Sequence, residues 1–216
     1  MLKNISHNNQ KKIALINDFT GFGRCSIAVE LPIISTLKVQ CCPLPTSIFS
    51  NHTGFDSYFF DDYTDRMERY VEEWKKLDLS FNGICSGFLG SARQISIVKD
   101  FIKEFKTDDT IVVVDPVMVA TSGAKLIGDD AIDTLKESLF PLAAVLTPNI
   151  PEAEVLSGMK IKSADDMITA AKWISETYHC EVLCKGGHQL NDANDLLFQK
   201  GKEPVWFHGK RIDNPN

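Results

Sequence analysis

The sequence predicts an α/β fold with a mostly parallel central sheet, because short apolar runs alternate with longer amphipathic segments along most of its 216 residues. Two of the apolar runs end abruptly in polar residues. Ile111–Val114 leads into Asp115, and Val145–Leu146 leads into the Thr-Pro-Asn of residues 147–149. Since parallel strands deliver the residues that follow them to one edge of the sheet, we expect a ligand site at that edge.

The predicted elements begin with a strand over 13–16 and a turn-rich loop over 17–23, which leads to a mostly buried helix over 26–37. Segment 39–48 is interrupted by two prolines, so it suits a strand edge and a projecting flap better than a central strand. The later predicted elements are a helix over 64–77, a strand from 83, a helix from 91 to 105, a strand over 111–114, a helix over 129–139, a strand over 143–146, helices over 152–157 and 164–178, and a strand over 181–184.

The composition suits one α/β domain with a well-buried core, because 44% of the residues are hydrophobic and 24% are charged. The net charge of −6, without a dense Lys/Arg stripe, argues against nucleic acid or an anionic membrane as the main partner. No apolar run reaches the roughly 18 residues that a membrane span needs, and residues 1–12 lack the apolar core of a signal peptide. We therefore expect a cytoplasmic protein that binds a small molecule.

Four polar residues follow the apolar runs in an order that favours a metal-nucleotide site. They are the carboxylates Asp115 and Glu152, the amide Asn149 and the ammonium of Lys185, which is followed by two glycines. Carboxylate oxygens bind Mg²⁺, and a lysine beside glycines can meet phosphate charge. On its own, however, Lys185 is equally well interpreted as a surface lysine.

The Gly-x-Gly of residues 21–23 could be mistaken for a dinucleotide-binding loop. Ser26 stands where the third glycine of that motif would be, and no acidic residue follows a second strand at the required distance. A nicotinamide-dependent dehydrogenase is therefore a weak alternative, and a tight strand-to-helix turn is the simpler interpretation.

Three ordered motifs resemble the vitamin kinases of the ribokinase superfamily, in the branch of hydroxymethylpyrimidine (phosphate) kinases and pyridoxal kinases. The motifs are Asp-Pro-Val-Met at 115–118, Thr-Pro-Asn-x-x-Glu-Ala at 147–153 and Lys-Gly-Gly-His at 185–188. The resemblance implies a three-layer αβα sandwich with a small substrate-covering flap. Residues 13–216 would then form one ribokinase-like domain after a flexible tail of residues 1–12.

The resemblance also implies roles for individual residues. ATP and Mg²⁺ are the expected cofactors, with the metal organised partly through water. The expected metal ligands are Asp115 and Glu152; the expected nucleotide-binding residues are Asn149, Lys185, Gly186 and Gly187; and the expected substrate-binding residues are Asn17, Asp18, Ser50, His52, Thr53 and Phe88.

No catalytic base is assigned within the sequence. In the kinases that the chain resembles, the base and an anion hole belong to a glycine-rich loop that would begin near Arg211–Asn216, where the sequence stops. We therefore expect either a fragment of a longer kinase or a catalytically crippled protein, and a non-catalytic nucleotide- or vitamer-binding role stays open. Missing terminal helices would also expose apolar sheet surface.

The expected substrate is divided between two vitamins. Segments 17–24 and 50–55 resemble pyridoxal and pyridoxamine kinases, whereas 119–123 and 185–188 resemble the pyrimidine kinases. Because the first loop and the flap would contact the ring, we favour a B6 vitamer, with hydroxymethylpyrimidine or its phosphate as the alternative. The aromatic residues of segment 55–63 could stack on the ring or pack against a second copy, and we expect a homodimer.

Overall fold

The computed structural model of the protein describes residues 10–119, 126–186 and 193–210. Its centre is a nine-stranded sheet with the order β3-β2-β1-β4-β5-β6-β7-β8-β9. Pairing is parallel from β2 to β7 and antiparallel at both edges. The predicted α/β class with a mostly parallel sheet is confirmed. The strands are β1 Lys12–Phe22, β2 Gln40–Asn51, β3 Phe60–Asp62, β4 Gly83–Ser86, β5 Ile111–Val114, β6 Val145–Leu146, β7 Glu181–Cys184, β8 Ala193–Phe198 and β9 Val205–Gly209.

Six α-helices connect the strands within the described residues: α1 Ser26–Thr36, α2 Thr64–Lys76, α3 Ala92–Phe105, α4 Asp129–Thr134, α5 Ile150–Ser157 and α6 Ala164–Tyr178. The helix predicted over 129–139 is α4 followed by a π turn, Leu135–Leu139, and a 3₁₀ turn, Phe140–Leu142. The predicted strand over 143–146 is shorter, and the predicted helix over 152–157 begins two residues earlier, at Ile150.

The sheet differs from the prediction in several places. Strand β1 continues to Phe22 and so includes most of the loop predicted over 17–23, and the short strand β3 was not predicted. Residues 40–51 form a full strand beside β1, although Pro43 and Pro45 lie within it. The prolines are tolerated because β3 joins β2 only from Ser47 onward, so the proline-containing part has a neighbour on one side alone. The β8–β9 hairpin was not predicted. Predicted tail residues 1–9 lie outside the described residues, and the proposed domain limits stay a prediction.

The helices are unequally divided between the two faces of the sheet. Helices α2 to α6 cover the face that presents Ala14, Ile84 and Val112, and these helices and strands share one hydrophobic core. Helix α1 packs against β1 and β2. Along the sheet, the chain moves from β1 to β2 in one direction and from β4 to β5 in the other. Since such crossovers are right-handed, α1 lies on the opposite face of the sheet. Three layers are therefore present, as predicted.

Beyond α1, the described part of the chain leaves the second face of the sheet partly open. Ile111 on β5 is 57% exposed, whereas the next residue, Val112, is buried on the covered face. Val113, Val145 and Leu183 share this alternation and are only half-buried.

Among the described residues, no helix is long and apolar enough to cross a membrane.

Candidate active site

A cavity of about 580 Å³ opens where the strand order reverses between β1 and β4. Such a reversal leaves a crevice at the carboxyl ends of the strands, which is the usual ligand site of open α/β sheets. The cavity reaches from the end of β1 across β4 to Asp115 after β5, and the flap formed by the ends of β1 and β2 with β3 borders it. Its lining residues are Asn17, Asp18, Thr20, Cys25, Ser26, Glu30, Phe49, His52, Thr53, Tyr58, Phe60, Phe88, Asp115, Val117 and Leu126.

The Asn17 side chain joins three elements at the base of this cavity. Its Oδ1 atom accepts hydrogen bonds from the backbone N–H groups of Asp18, at 2.9 Å, and Phe88, at 2.8 Å. Its Nδ2 atom donates to Oε1 of Glu30 at 2.8 Å. Gly87 leaves the necessary space, because a Cβ atom there would overlap the Asn17 amide. The structure therefore brings together Asn17 and Phe88, and their predicted role in substrate binding stays a prediction.

The carboxylate of Asp18 is buried and held by two hydroxyl groups. Ser26 donates to Oδ1 at 2.6 Å, and Thr20 donates to Oδ2 at 3.0 Å. These bonds tie the end of β1 to the start of α1, so Asp18 lines the cavity in a fixed orientation. Asp18 was predicted from the sequence, but its two hydroxyl partners were not.

The flap gives the cavity aromatic walls. Phe49, Tyr58 and Phe60 line it, and Phe49 lies 4.9 Å from Phe60 between ring centroids. Flat aromatic surfaces suit a planar heterocycle. His52 and Thr53, predicted to bind the substrate, also line the cavity.

Ser50 is not brought to this cavity. Its hydroxyl group donates to Asn51 and accepts from the N–H of Phe59, so it fixes the flap on another surface. The geometry therefore gives no support to the prediction that Ser50 contacts the substrate.

Asp115 and Lys185 form an ion pair across the carboxyl edge of the sheet. The Lys185 Nζ atom lies 2.9 Å from Oδ1 and 2.7 Å from Oδ2 of Asp115. Burial raises the pKa of the Asp115 carboxyl, and the Lys185 ammonium and the Thr147 hydroxyl offset part of that rise. The structure thus brings together two residues that lie 70 positions apart in the sequence.

Glu152 and Asn149 form a capping box at the start of α5. The Asn149 Oδ1 atom accepts from the N–H of Glu152 at 2.9 Å, and the Glu152 Oε2 atom accepts from the N–H of Asn149 at 2.8 Å. The remaining Glu152 oxygen accepts from the N–H of Met118 at 3.2 Å. Burial, with the nearby charge of Asp115, raises the pKa of Glu152 to about 7.

The predicted magnesium ligands suit a hydrated ion better than a direct protein cage. Within residues 10–119, 126–186 and 193–210, no three His, Cys, Asp or Glu side chains converge as a metal-binding group. Asp115 and Glu152 are close enough for the charge of one to raise the pKa of the other. The two carboxylates fit Mg²⁺ that keeps most of its water, since the Glu152 oxygens already accept backbone N–H bonds.

Position 186 requires a glycine for a steric reason that the sequence did not reveal. A Cβ atom at this position would overlap the backbone oxygen of Asn194 at the start of β8. Its N–H donates to Oδ1 of Asp195 at 3.0 Å. The glycine is required by the neighbouring strand, whether or not a nucleotide also approaches. Gly187, predicted to bind the nucleotide, lies outside the described residues.

Glu30 is the main site residue that sequence reasoning missed. It was included in a helix interpreted as packing against the sheet, yet its side chain lines the cavity and bonds to Asn17. The only available signal was a charged residue within an otherwise apolar helix, and such residues usually face solvent.

The fold and site define a class. A flap-covered, aromatic-walled cavity beside an aspartate-lysine pair, at the carboxyl edge of a sheet of this order, is the arrangement of the ribokinase-like small-molecule kinases. The chain belongs to the phosphomethylpyrimidine kinase family, whose family model matches residues 30–216. The predicted superfamily is thereby confirmed.

The chain is also similar to individual kinases of this family. The chain is 43% identical over 123 residues to a hydroxymethylpyrimidine/phosphomethylpyrimidine kinase of Bacillus subtilis, a match covering 56% of this chain and 45% of that protein. The chain therefore spans less than half the length of that relative.

Two solved structures cover more of the molecule. A putative phosphomethylpyrimidine kinase from Bacteroides thetaiotaomicron, crystallised with pyridoxal, has 32% identity and a TM-score of 0.81, covering 89% of this chain and 69% of that one. An ADP complex of Bacillus subtilis pyridoxal kinase has 28% identity and a TM-score of 0.81, covering 95% and 78% respectively.

Proposed function

We propose that the protein transfers a phosphoryl group from ATP to the hydroxymethyl group of a pyrimidine, as a hydroxymethylpyrimidine/phosphomethylpyrimidine kinase of thiamine biosynthesis. The observation that carries the proposal is the aromatic-walled cavity that ends at Asp115, beside Lys185. The family model and the Bacillus subtilis relative support the pyrimidine substrate.

A B6 vitamer, favoured in the sequence analysis, becomes the second candidate. It is supported by the Bacteroides thetaiotaomicron relative, which was crystallised with pyridoxal, and by the Bacillus subtilis pyridoxal kinase. Both candidate substrates are flat heterocycles with a hydroxymethyl group, so the same cavity could hold either ring.

The residues of the chain have separate tasks in this proposal. Phe49, Phe60 and Phe88 hold the ring, and Asn17 fixes the loop after β4 on which Phe88 lies. The Lys185 ammonium exchanges part of its interaction with Asp115 for the transferred phosphate, since phosphoryl transfer depends on positioning and on neutralising charge.

Asp115 and Glu152 would hold hydrated Mg²⁺, which when bound neutralises phosphate charge. Asn149 keeps Glu152 in position through the capping box rather than by a demonstrated contact with the nucleotide. We assign no catalytic base among the described residues.

The test is ATP-dependent phosphorylation of hydroxymethylpyrimidine, pyridoxal and pyridoxamine in parallel, by the 216-residue chain, by a version extended with the glycine-rich loop expected after Asn216, and by the Lys185→Met variant of each. We expect the pyrimidine to be the best substrate, and the variant to lose about 10²- to 10³-fold in kcat/KM. Lys172→Met is the matched control, because Lys172 is exposed on α6.

Other outcomes have defined meanings. Preference for a B6 vitamer would replace the pyrimidine by the second candidate. Absence of turnover, with thermal stabilisation by ATP-Mg²⁺ but not by NAD, would instead indicate a non-catalytic nucleotide-binding protein. Equal activity of Lys185→Met and the unmodified chain would contradict the role of Lys185.

A further inference from the structure

Gln94, in the first turn of α3, is a buried polar residue to which the proposed function gives no task. It is 2% exposed, and it is not among the described residues that line the cavity. Its Oε1 atom accepts a hydrogen bond from the N–H of Gly90 at 2.8 Å. Its Nε2 atom donates to the carbonyl oxygen of Thr46 and to Oγ1 of Thr64, both at 2.8 Å. One amide therefore links the loop after β4, strand β2 and the start of α2.

The partners of Gln94 determine which way its amide points. A carbonyl oxygen only accepts and a backbone N–H only donates, so Nε2 must face Thr46 and Oε1 must face Gly90. Thr64 agrees with this orientation, because its hydroxyl donates to Oδ1 of Asp62 and its oxygen then accepts from Gln94. The same Asp62 oxygen lies 3.3 Å from Nε2. A buried amide that is paired at both ends is costly to disconnect, so this link is rigid.

The segments that Gln94 joins carry aromatic residues of the cavity. Strand β2 continues from Thr46 to Phe49, and β3 places Phe60 opposite Phe49. The loop after β4, which Gln94 holds at Gly90, carries Phe88 two residues earlier. These three phenylalanines all line the cavity. Gln94 therefore connects the flap with the second part of the chain that gives the cavity an aromatic ring.

A direct hydrogen bond reinforces this connection. The Thr46 hydroxyl donates to the carbonyl oxygen of Phe88 at 2.9 Å. Thr46 thus bonds to the loop through its hydroxyl and to Gln94 through its carbonyl oxygen. Asn17 holds the N–H of Phe88 at the base of the cavity. The bonds of Thr46 and Gln94 therefore determine how far the loop lies from β2.

We infer that Gln94 is a positioning residue that sets the affinity for the heterocycle by fixing the distance between Phe88 and the flap. This inference rests on the proposed function, in which phenylalanines of the flap and of this loop hold the ring. A gap of about 0.5–1 Å between surfaces in contact already removes a quarter to a half of their dispersion attraction. Without Gln94 the loop moves away from β2, and the ring loses part of its contact.

The expected effect is on ring binding and not on phosphoryl transfer. Among the described residues, the hydrogen-bond partners of the Gln94 side chain include neither Asp115 nor Lys185. Losing an interaction that is equally strong in the ground state and the transition state raises KM and leaves kcat unchanged. Gln94→Met keeps the length of the side chain and removes its amide. It should raise KM about 3- to 10-fold, the effect of weakening one aromatic contact, for hydroxymethylpyrimidine and for pyridoxal alike.

Ser175→Ala is the matched control for the loss of a buried hydrogen bond. Ser175 is 1% exposed, its hydroxyl donates to the carbonyl oxygen of Cys180 at 2.6 Å, and it does not line the cavity. Both variants should lose stability, but only Gln94→Met should raise KM.

A double variant distinguishes positioning of Phe88 from a general structural role. Phe88→Leu removes the ring that Gln94 is inferred to position. Adding Gln94→Met to Phe88→Leu should therefore leave KM at the value of Phe88→Leu alone. A general loss of packing would raise KM by the same factor in both backgrounds.

The measurements are KM and kcat for the two rings and calorimetric dissociation constants for the same rings without ATP. Weaker binding in Gln94→Met that disappears in the Phe88→Leu background supports the inference, even if the absence of turnover contradicts the proposed function. Unchanged KM and Kd, a fall in kcat alone, or an equal effect in both backgrounds overturns the inference and leaves the proposed function standing. Failure of the unmodified chain to bind either ring overturns both.

A second variant covers the case in which Gln94→Met does not fold. Thr46→Val removes only the hydroxyl bond to Phe88, and valine has nearly the same shape as threonine. It loosens the same connection between β2 and the loop, so we expect weaker ring binding with kcat unchanged. An unchanged Kd for both rings in Thr46→Val contradicts the inference.

Discussion

Gly186 shows how strongly a neighbouring strand can constrain a single residue. It immediately follows Lys185, and the backbone of Asn194 occupies the space where a side chain would begin. Replacing this glycine by any other residue would therefore displace either β8 or the loop that carries Lys185. Steric fit alone therefore accounts for a glycine that the sequence analysis had interpreted as a nucleotide contact.

Gly186→Ala should destabilise the protein by about 2–3 kcal/mol, because overpacking against backbone cannot be relieved by a change of side-chain rotamer. Urea denaturation followed by circular dichroism measures the loss. Gly90→Ala is the matched control, since a Cβ atom there meets the Phe88 ring and the Gln94 side chain at ordinary contact distances. Equal stability of the two variants would show that the β8 contact is not a constraint.

Glu152 gives the stability of the protein a specific pH dependence. Its pKa is 4.5 in the absence of structure and about 7 in the fold. Between these pH values the folded chain keeps a proton on Glu152 that the unfolded chain has released. The contribution of Glu152 to the free energy of unfolding is therefore complete below pH 4.5 and is lost as the pH rises through 7. The loss is about 3 kcal/mol at most.

The difference between the unmodified chain and Glu152→Gln isolates this group from other titrating residues. We expect the free energy of unfolding of Glu152→Gln to fall less steeply from pH 4.5 to pH 7 than that of the unmodified chain. Urea titrations at half-unit pH intervals measure both slopes. Parallel slopes would mean that Glu152 titrates near its ordinary pKa in the fold.

Among the elements, α5 connects helix formation directly to the site. Asn149 starts the helix, and its side chain also donates to the carbonyl oxygen of Val119 at 3.2 Å. The capping box holds the Glu152 carboxylate in place near Asp115. A change at the cap therefore disturbs both the helix and the predicted metal ligand.

Asn149→Ala should cost about 1–2 kcal/mol of stability and should also weaken stabilisation by ATP-Mg²⁺. Ser163→Ala is the control, because Ser163 caps α6 in a similar way and does not line the cavity. It should lose a comparable amount of stability without a change in the ATP-Mg²⁺ effect. Thermal unfolding with and without ATP-Mg²⁺ measures both the stability and the stabilisation by ligand. Equal stabilisation by ATP-Mg²⁺ in the two variants would mean that Asn149 has no role in the site.

Sequence patterns predicted elements best where one face is continuously buried. Helices α2, α3 and α6 lie within one or two residues of their predicted limits, since their apolar spacing is regular. The β8–β9 hairpin has a weaker signal, because β8 is only half-buried and β9 is mostly exposed. Glu30 was missed for a different reason: helix periodicity describes packing and carries no information about which cavity a polar side chain faces.

For the molecule as a whole, the uneven covering of the sheet matters most. One face is buried beneath five helices, while the opposite face beyond α1 presents Ile111 and half-buried neighbours on β4 to β7. A separate apolar surface lies on the flap, where Phe59 is 66% exposed. Either surface could drive self-association, and the homodimer expected from the flap stays a prediction.

Two substitutions distinguish these surfaces. Phe59→Ser should abolish dimer formation if the flap forms the interface, whereas Ile111→Ser should only reduce non-specific aggregation. Both residues are exposed, so neither change should alter stability by more than about 0.5 kcal/mol. Sedimentation velocity over a range of concentrations measures the association. A monomeric unmodified chain would contradict the homodimer.

The contact between Asn17 and Gly87 also has an evolutionary consequence. No side chain can be added at position 87 while the asparagine amide fills that space, and the amide in turn orients Glu30 and the N–H of Phe88. A lineage that acquires a larger residue at position 87 must therefore already carry a smaller one at position 17. Reconstructed ancestors that carry the two changes in the reverse order should be the poorly folding intermediates.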